Sequence, residues 1–310
     1  MKQEFSIVEA FGAALSEEGD INDKIVVFDA DLSHATKSAM FGDKYRERFF
    51  NMGISEQDMI STAGGMASTG KIPFVCSFAV FITGNAYAQI RLAAIAGINI
   101  KIIGTHAGIR TGEDGATHQA LEDIALMRAL PGMTIVQPAD AIETAQAVKA
   151  MAQHKGPCYM RLCRGELPNI HNKDYKFEIG KGEIVSEGKD ITIIATGALV
   201  IDAIRAAGIL VKHGIDAEVI NISTIKPIDS ELILKSARKT RQVIVCEDHN
   251  TIGGLGSAVE KVVCRWLPCQ VDKIGVPDAF GESGSSTDLY KKYELTSEAI
   301  SATLRCNGAF

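Results

Sequence analysis

The sequence predicts an α/β protein of two domains, each a mostly parallel sheet covered by helices. Short β-branched runs alternate with segments of helical period, which is the pattern of parallel sheets. With 310 residues, the chain is longer than one ordinary domain. The alternation also stops once, near Pro168, Asn169 and His171, and then resumes. We therefore expect one domain at 1–165, a linker at 166–189 and a smaller domain at 190–310.

The alternation places each expected element. In the first domain, strands are expected at 25–28, 72–76, 98–103, 134–136 and 158–162. Helices are expected near 5–18, 55–69, 84–96, 119–130 and 140–153. In the second domain, the strands are expected at 191–195, 217–222, 242–246 and 271–274, with helices between them.

Composition excludes several classes of protein. Hydrophobic residues make up 46% and charged residues 23% of the chain, which is typical of globular proteins. The sequence contains neither a run of about 20 apolar residues, as a membrane span requires, nor a secretory signal. The net charge of −6 has no basic block, so nucleic-acid binding is not expected. The seven cysteines form no C-x-x-C pair. We expect a cytoplasmic protein without a cysteine metal site.

Three loops at expected strand ends are candidates for a site, because ligands of open α/β sheets bind there. The first leads into Glu56. Ser55 and Asp58 predict a capping box, and an acid such as Glu56 is also favoured by the helix dipole in a first turn. The third loop carries Arg161 and Arg164, which suit either a phosphate or ordinary ion pairs.

The second loop, 104–119, holds two histidines, two acids, one arginine and four glycines. Glycines permit unusual backbone conformations, and His and Asp carry protons. Composition leaves open whether this is a substrate site or a solvated loop. His106 and His118 lack a third ligand at a recognised spacing, so a metal site is not expected. Phe78 and Phe81 either pack in the core or stack on a flat ring.

The first domain resembles the pyrimidine-binding domain of transketolases. The motifs follow one another in the family's order: Gly53-Ile54-Ser55-Glu56-Gln57, Ser77-Phe78-Ala79-Val80-Phe81, Thr105-His106-Ala107-Gly108, Gly112-Glu113-Asp114-Gly115-Ala116-Thr117-His118-Gln119 and Gln137-Pro138-Ala139-Asp140. The second domain resembles the transketolase C-terminal domain at Glu247-Asp248-His249-Asn250 and Gly281-Glu282-Ser283-Gly284. The resemblance covers nearly the whole chain.

The resemblance implies the thiamine-diphosphate-binding fold and an enzyme of carbohydrate metabolism, in the pentose phosphate reactions. Such a transketolase transfers a two-carbon glycolaldehyde unit from a ketose to an aldose with thiamine diphosphate. Glu56 would hydrogen-bond a nitrogen of the pyrimidine ring, for which a buried carboxyl is best suited. Phe78 and Phe81 would stack on that ring, and Asp31 and Leu32 would lie beside it.

The same resemblance implies the residues that bind the sugar. His106 and His118 would hydrogen-bond substrate hydroxyls and assist proton transfer. Asp114 would distinguish hydroxyl stereochemistry. Arg164 would bind the sugar phosphate, with Arg161 as a second candidate.

Two departures from the family pattern stand out. The Gly-Asp-Gly…Asn motif that holds Mg²⁺ and the diphosphate does not occur in this sequence. The resemblance therefore implies a separate N-terminal transketolase subunit that carries this motif, binds Mg²⁺ and makes most of the cofactor contacts. It also implies an α2β2 heterotetramer, and this chain alone is expected to have no activity. A second phosphate-binding arginine of the family is also missing, with only Lys2 and Gln3 near its place.

Three alternatives remain at this stage. The β subunit of a 2-oxoacid dehydrogenase has similar size, but paired histidines suit a polyhydroxylated donor better than a keto acid. A 1-deoxyxylulose-5-phosphate synthase is normally one longer chain. A non-catalytic interaction module has no physical reason to keep Glu56, His106, Asp114 and His118 together.

Overall fold

Two parallel-dominated sheets form the framework of the protein in a computed structural model that describes residues 3–306. The strands of the seven-stranded sheet are β2 (Ile25–Asp29), β3 (Phe49–Asn51), β4 (Ile72–Phe78), β5 (Lys101–Ala107), β6 (Thr134–Val136), β7 (Cys158–Cys163) and β12 (Thr224–Lys226). Their spatial order is β12-β6-β7-β5-β4-β2-β3, and all pairs are parallel except β12 with β6. The mixed α/β fold of two parallel-dominated layers agrees with the sequence prediction.

Helices cover both faces of this sheet because its strands are apolar on both sides. In β2, Val26 and Phe28 join one core cluster, whereas Ile25 and Val27 join another. The helices of this half are α1 (Ile7–Ile21), α2 (Ser33–Thr36), α3 (Ala39–Lys44), α4 (Glu56–Ser68), α5 (Ala79–Asn85), α6 (Tyr87–Ile95), α7 (Asp123–Ala129) and α8 (Ala141–Gln153). Helices α4 and α6 contribute to the first cluster, and α1 and α8 to the second.

The second sheet has the order β14-β13-β10-β11-β9. Its strands are β9 (Glu183–Ser186), β10 (Ile191–Ala195), β11 (Ala217–Asn221), β13 (Gln242–Asn250) and β14 (Gln270–Val276). The associated helices are α9 (Leu199–Val211), α10 (Ser230–Thr240), α11 (Leu255–Trp266), α12 (Ser286–Lys292) and α13 (Ser297–Cys306). A short antiparallel pair joins β1 (Glu4–Ser6) to β8 (Glu166–Pro168). No helix among residues 3–306 combines the length and the apolar character that crossing a bilayer requires.

The structure differs from the sequence prediction in three places. The helix expected at 84–96 is two helices, α5 and α6, that meet at Ala86. The expected linker contains β8 and β9, and β9 joins the second sheet. Strand β12 belongs to the second half of the sequence, but it pairs with β6 of the first sheet. The domain boundaries stay a prediction, since one core cluster also contains residues from both halves.

A polar cluster ties the segment after β8 to both halves. The Asp140 carboxylate caps α8 through Glu143 N and accepts hydrogen bonds from the backbone N–H groups of Ile170 and His171. His171 Nδ1 lies 2.8 Å from Asp140 Oδ2, and its Nε2 lies 3.0 Å from Glu183 Oε2. A histidine between two carboxylates is held best when it is protonated.

The buried Glu143 carboxylate extends this cluster into the second sheet. It accepts hydrogen bonds from Tyr175 Oη at 2.7 Å, Ser223 Oγ at 2.5 Å and Asn221 Nδ2 at 3.2 Å. Ala139 N donates to its other oxygen at 2.7 Å. These hydrogen bonds satisfy a charge that would be costly to bury alone.

The charge on His171 should make stability depend on pH. Burial acts to lower the pKa of His171, but the hydrogen bond to Asp140 and the charges of Glu143 and Glu183 outweigh it and raise that pKa. The contribution is full below the unfolded pKa of about 6.5 and is lost as pH rises through the folded pKa. We expect the loss of unfolding free energy in His171→Gln, measured by urea denaturation, to shrink from about pH 6 to about pH 9.

His154→Gln provides a control with the opposite sign. Burial and the charge of Lys101 lower the pKa of His154, so its contribution is present at high pH and lost as pH falls. Two variants with the same pH slope would contradict the role given to His171.

Candidate active site

The candidate residues gather at the carboxyl-terminal ends of adjacent strands of the large sheet. Strands β2, β4, β5 and β7 are parallel neighbours, so the segments that follow them reach the same edge. Helix α4 also begins at this edge, because it follows the parallel strand β3. The sheet topology therefore brings together residues that are far apart in sequence.

Glu56 is the first residue of α4, and its side chain is buried, with 5% of the residue exposed. Ser77 Oγ, near the end of β4, donates a hydrogen bond to Glu56 Oε1 at 3.1 Å. Within residues 3–306, no donor reaches Oε2. The expected capping box is wrong, since the Ser55 side chain makes no cap hydrogen bond. Glu56 is therefore a buried acid with one oxygen available as an acceptor.

Four aromatic rings form a wall at the ends of β4 and β5. Phe78 stacks on His106 at a centroid distance of 4.1 Å and on Phe81 at 6.0 Å. His118 meets Phe81 edge-on at 5.1 Å and Phe78 at 6.3 Å. Phe81 is the more exposed phenylalanine, whereas Phe78 is buried. The wall presents apolar ring surface next to histidine nitrogens.

His106 has a left-handed backbone conformation, with φ of 55°. Thr111 Oγ1 donates to its carbonyl oxygen at 2.6 Å, and its Nδ1 lies 3.0 Å from Thr105 Oγ1. Burial lowers the pKa of His106 to about 4, and the positive charge of Arg164 acts in the same direction. At neutral pH the imidazole is therefore uncharged and can both donate and accept hydrogen bonds.

Asp114 and Arg164 form an ion pair at the rim of the cluster. Arg164 Nη1 lies 3.0 Å from Asp114 Oδ2, and it also donates to Thr111 O at 3.0 Å. The two charged side chains are 44% and 39% exposed. An exposed ion pair of this kind is worth at most about 1 kcal/mol, so an anionic ligand can replace the carboxylate at little cost.

Arg161 does not reach this rim, and the expectation that it binds phosphate is wrong. Its side chain is fully buried, with Nε 2.8 Å from Asp123 Oδ2. Arg161 Nη2 donates to the carbonyl oxygens of Ala120 and Asp248, both at 2.9 Å. Arg161 lies within β7, whereas Arg164 follows the end of that strand. Through Ala120 and Asp248, Arg161 therefore connects the end of the 104–119 loop to the second half of the chain.

Asp31 and Leu32 lie in the turn after β2. The buried Asp29 holds this turn, accepting hydrogen bonds from Leu32 N at 2.6 Å and from the hydroxyls of Thr36 and Ser38 at 2.7 Å. Asp31, with φ of 65°, accepts a hydrogen bond from the Asn51 side chain at 2.9 Å. The turn thus lies beside the segment that leads into α4.

Residues of the second half position the 104–119 loop. Asp248 Oδ1 accepts a hydrogen bond from Ile109 N at 2.8 Å, and a Cβ at Gly108 would lie 2.3 Å from the other Asp248 oxygen. Gln119 Nε2 donates to Glu282 O at 2.9 Å. Gly108 has φ of 79°, so close approach and backbone conformation both require glycine there.

Sequence reasoning missed Asp29, Ser77, Asp123 and the positioning role of Asp248. Strand alternation offered a signal for Ser77, because it places this polar residue on the face opposite Cys76 and Phe78. Asp123 offered no comparable signal, since an acid in the first turn of a helix is already explained by the helix dipole.

Comparisons with known proteins match both halves of the chain. Residues 3–169 match the transketolase pyrimidine-binding domain, and residues 180–300 match the transketolase C-terminal domain. The chain is 47% identical to a putative transketolase C-terminal section of Methanocaldococcus jannaschii, covering 94% of this chain and 93% of that protein.

Two further relatives consist of a similar length of chain. A 6-deoxy-6-sulfo-D-fructose transketolase subunit, SqwH, of Clostridium sp. strain MSTE9 is 39% identical, with 92% of this chain and 89% of the relative covered. A solved structure described as a split gene transketolase, inactive beta4 tetramer, superposes with a TM-score of 0.91 at 46% identity, covering 97% of each chain.

Proposed function

The chain belongs to the transketolase family, and from this membership we propose that the cluster around Glu56 binds the pyrimidine ring of thiamine diphosphate. The protein is the C-terminal subunit of a split transketolase, a transferase that moves a two-carbon unit from a ketose to an aldose and works with a partner subunit. The family depends on thiamine diphosphate. The observation that carries the proposal is the buried Glu56 beside the aromatic wall.

The residues present fit the cofactor's pyrimidine ring. Ser77 occupies one oxygen of Glu56, which leaves Oε2 to bind a ring nitrogen. Phe81 offers a partly exposed ring for stacking, and Phe78 stacks on both Phe81 and His106. Asp31 and Leu32 border the cofactor from the turn after β2. When bound, thiamine diphosphate supplies the carbon nucleophile that carries the two-carbon unit.

The rest of the cluster binds the sugar in this proposal. Neutral His106 and the adjacent His118 form hydrogen bonds with substrate hydroxyls and assist proton transfer to and from these hydroxyls. Asp114 accepts a hydrogen bond from one hydroxyl and so distinguishes its stereochemistry. Arg164 leaves Asp114 to bind the substrate phosphate at the rim. Of the two residues near the missing second arginine, Gln3 is exposed and Lys2 lies outside the described residues.

The partner subunit supplies what this sequence lacks. We propose that it carries the Gly-Asp-Gly…Asn motif, which holds Mg²⁺ and the diphosphate, because this sequence contains no such motif. The related split-gene structure is described as an inactive tetramer of one subunit type. We propose an α2β2 assembly in which the cofactor lies between the two kinds of subunit, and no turnover by this chain alone.

Replacing the Glu56 carboxylate should abolish the proton exchange with the cofactor ring. In the complex reconstituted with partner, Mg²⁺ and thiamine diphosphate, we expect Glu56→Gln to lower kcat by about a hundredfold or more. The matched control is Asp58→Asn, which removes an exposed carboxyl in the same helical turn. Unchanged circular dichroism would show that the fold is retained. A Glu56→Gln enzyme within a few fold of wild type would refute the assignment.

Arg164 should matter only for the phosphorylated part of the donor. We expect Arg164→Gln to raise KM for a ketose phosphate about tenfold, as expected for a lost charge-assisted hydrogen bond, with little effect for the same ketose without phosphate. Arg91→Gln, which removes an exposed arginine of α6, is the control. Equal increases of KM for both donors would contradict phosphate binding by Arg164.

The molar mass of the assembly can be measured directly. Light scattering of the reconstituted mixture should give the mass of two copies of each subunit, and activity should coelute with that species in size-exclusion chromatography. A fully active species with one copy of each subunit would show the proposed stoichiometry to be wrong.

A further inference from the structure

A cavity lies where the end of α7 and strand β12 meet α11, and it shares no lining residue with the candidate active site. Its volume is about 320 Å³. Its basic lining residues are Arg128, Lys226, Lys261 and Arg265, and Trp266 forms part of the wall. No acidic side chain lines it among the residues that the structure describes. The volume is at the lower end of small-ligand pockets.

The positive charge of this cavity is not neutralised by neighbouring acids. None of its four basic side chains forms an ion pair with a carboxylate within residues 3–306. Lys226 Nζ donates to the carbonyl oxygens of Arg128 at 2.9 Å and Leu130 at 2.5 Å. Burial lowers the pKa of Lys226, and the positive charges of Arg128 and Lys261 lower it further. Clustered like charges repel, so the arrangement is stabilised when an anion is bound.

Arg128 is held in place by backbone groups. Its Nη1 donates to the carbonyl oxygen of Gly254 at 2.9 Å and also to that of Gly253. The nearby acid is Glu247, which is fully buried and receives hydrogen bonds from the N–H groups of Leu255 and Gly256. Burial raises the pKa of Glu247 to about 7, so at neutral pH it is only partly ionised and neutralises Arg128 poorly.

The α11 side of the cavity combines charge with an aromatic ring. Lys261 and Arg265 lie four residues apart on α11 and therefore on one face, a like-charge spacing that destabilises a helix slightly. The Arg265 guanidinium lies over the Trp266 ring at 4.8 Å. Trp266 is 60% exposed, which is unusual for so large an apolar side chain.

We propose that this cavity binds a small molecule with a phosphate or diphosphate group, held by the four basic side chains, whose flat ring lies against Trp266. Lysine and arginine suit the phosphate oxygens, and tryptophan suits an aromatic ring such as that of a nucleotide. The proposal does not depend on the proposed function, because the cavity shares no lining residue with the cluster around Glu56.

Trp266 offers a direct measurement, because it is the only tryptophan of the chain. The full-length chain without its partner is titrated with ADP and with inorganic pyrophosphate at constant ionic strength while tryptophan fluorescence is recorded. We expect saturable changes with both, with a Kd below about 1 mM, and tighter binding of ADP because of its ring. No saturable change with either ligand, or the same change with sodium sulfate, would overturn the proposal.

Matched variants locate the site. The double variant Lys261→Ala with Arg265→Ala should weaken binding of both ligands at least about tenfold, because charge-assisted hydrogen bonds are lost. The control, Lys235→Ala with Arg238→Ala, removes the same charge from exposed positions of neighbouring α10 and should leave Kd unchanged. If both double variants weakened binding equally, the net charge of the protein would explain the change in Kd, and the proposal would be overturned.

Arg164→Gln separates this site from the candidate active site. It should leave the fluorescence titration unchanged, and a loss of binding in this variant would assign the signal to the active-site rim instead. Because the titration requires neither partner nor turnover, its failure would leave the proposed transketolase function untouched, and failure of the Glu56 test would leave this site untouched.

Discussion

The buried ion pair between Arg161 and Asp123 is the interaction on which the site depends. Two charges taken out of water cost several kcal/mol each unless they are paired and fully hydrogen-bonded. Here the guanidinium also binds the carbonyl oxygens of Ala120 and Asp248, and Tyr159 donates to Asp123. Nη1 of the guanidinium has no hydrogen-bond partner within residues 3–306. The bonds of Nε and Nη2 form only when β7, α7 and β13 are all in place. The 104–119 segment, which carries His106, Asp114 and His118, is therefore held near its start by the Ile109–Asp248 hydrogen bond and just after its end by the Ala120–Arg161 hydrogen bond.

The depth of burial divides the candidate residues into two electrostatic groups. Glu56 is buried and His106 is half-buried, and the lowered pKa of His106 keeps that ring neutral. Asp114 and Arg164 remain in partial contact with solvent, so their ion pair is weak and exchangeable. A polar substrate would thus meet a replaceable charge pair at the rim and the uncharged imidazole of His106 further in. This gradient suits a sugar phosphate, whose charge is at one end.

The second half of the chain contacts the first half in two places. Through Asp248 and Glu282 it shapes the loop that carries the residues proposed to bind substrate. Through α11 and β12 it encloses the basic cavity beside Arg128. Helix α7 links these regions, since Asp123 is its first residue and Arg128 lies in its last turn. The C-terminal half therefore helps to build the candidate active site, and it also lines the basic cavity.

Local sequence patterns were enough to predict the parallel α/β architecture and to nominate most of the candidate site residues. Strand and helix periods and the motif at Glu56 are local, so they can be recognised within a few residues. Only the tertiary structure separated Arg164, just beyond a strand end, from Arg161, buried three residues earlier in the same strand. It also paired Glu56 with Ser77 and Arg161 with Asp123, and moved β12 to the first sheet. These outcomes depend on contacts between distant segments, and the energy of burying a charge or pairing a strand is decided by neighbours that no local pattern specifies.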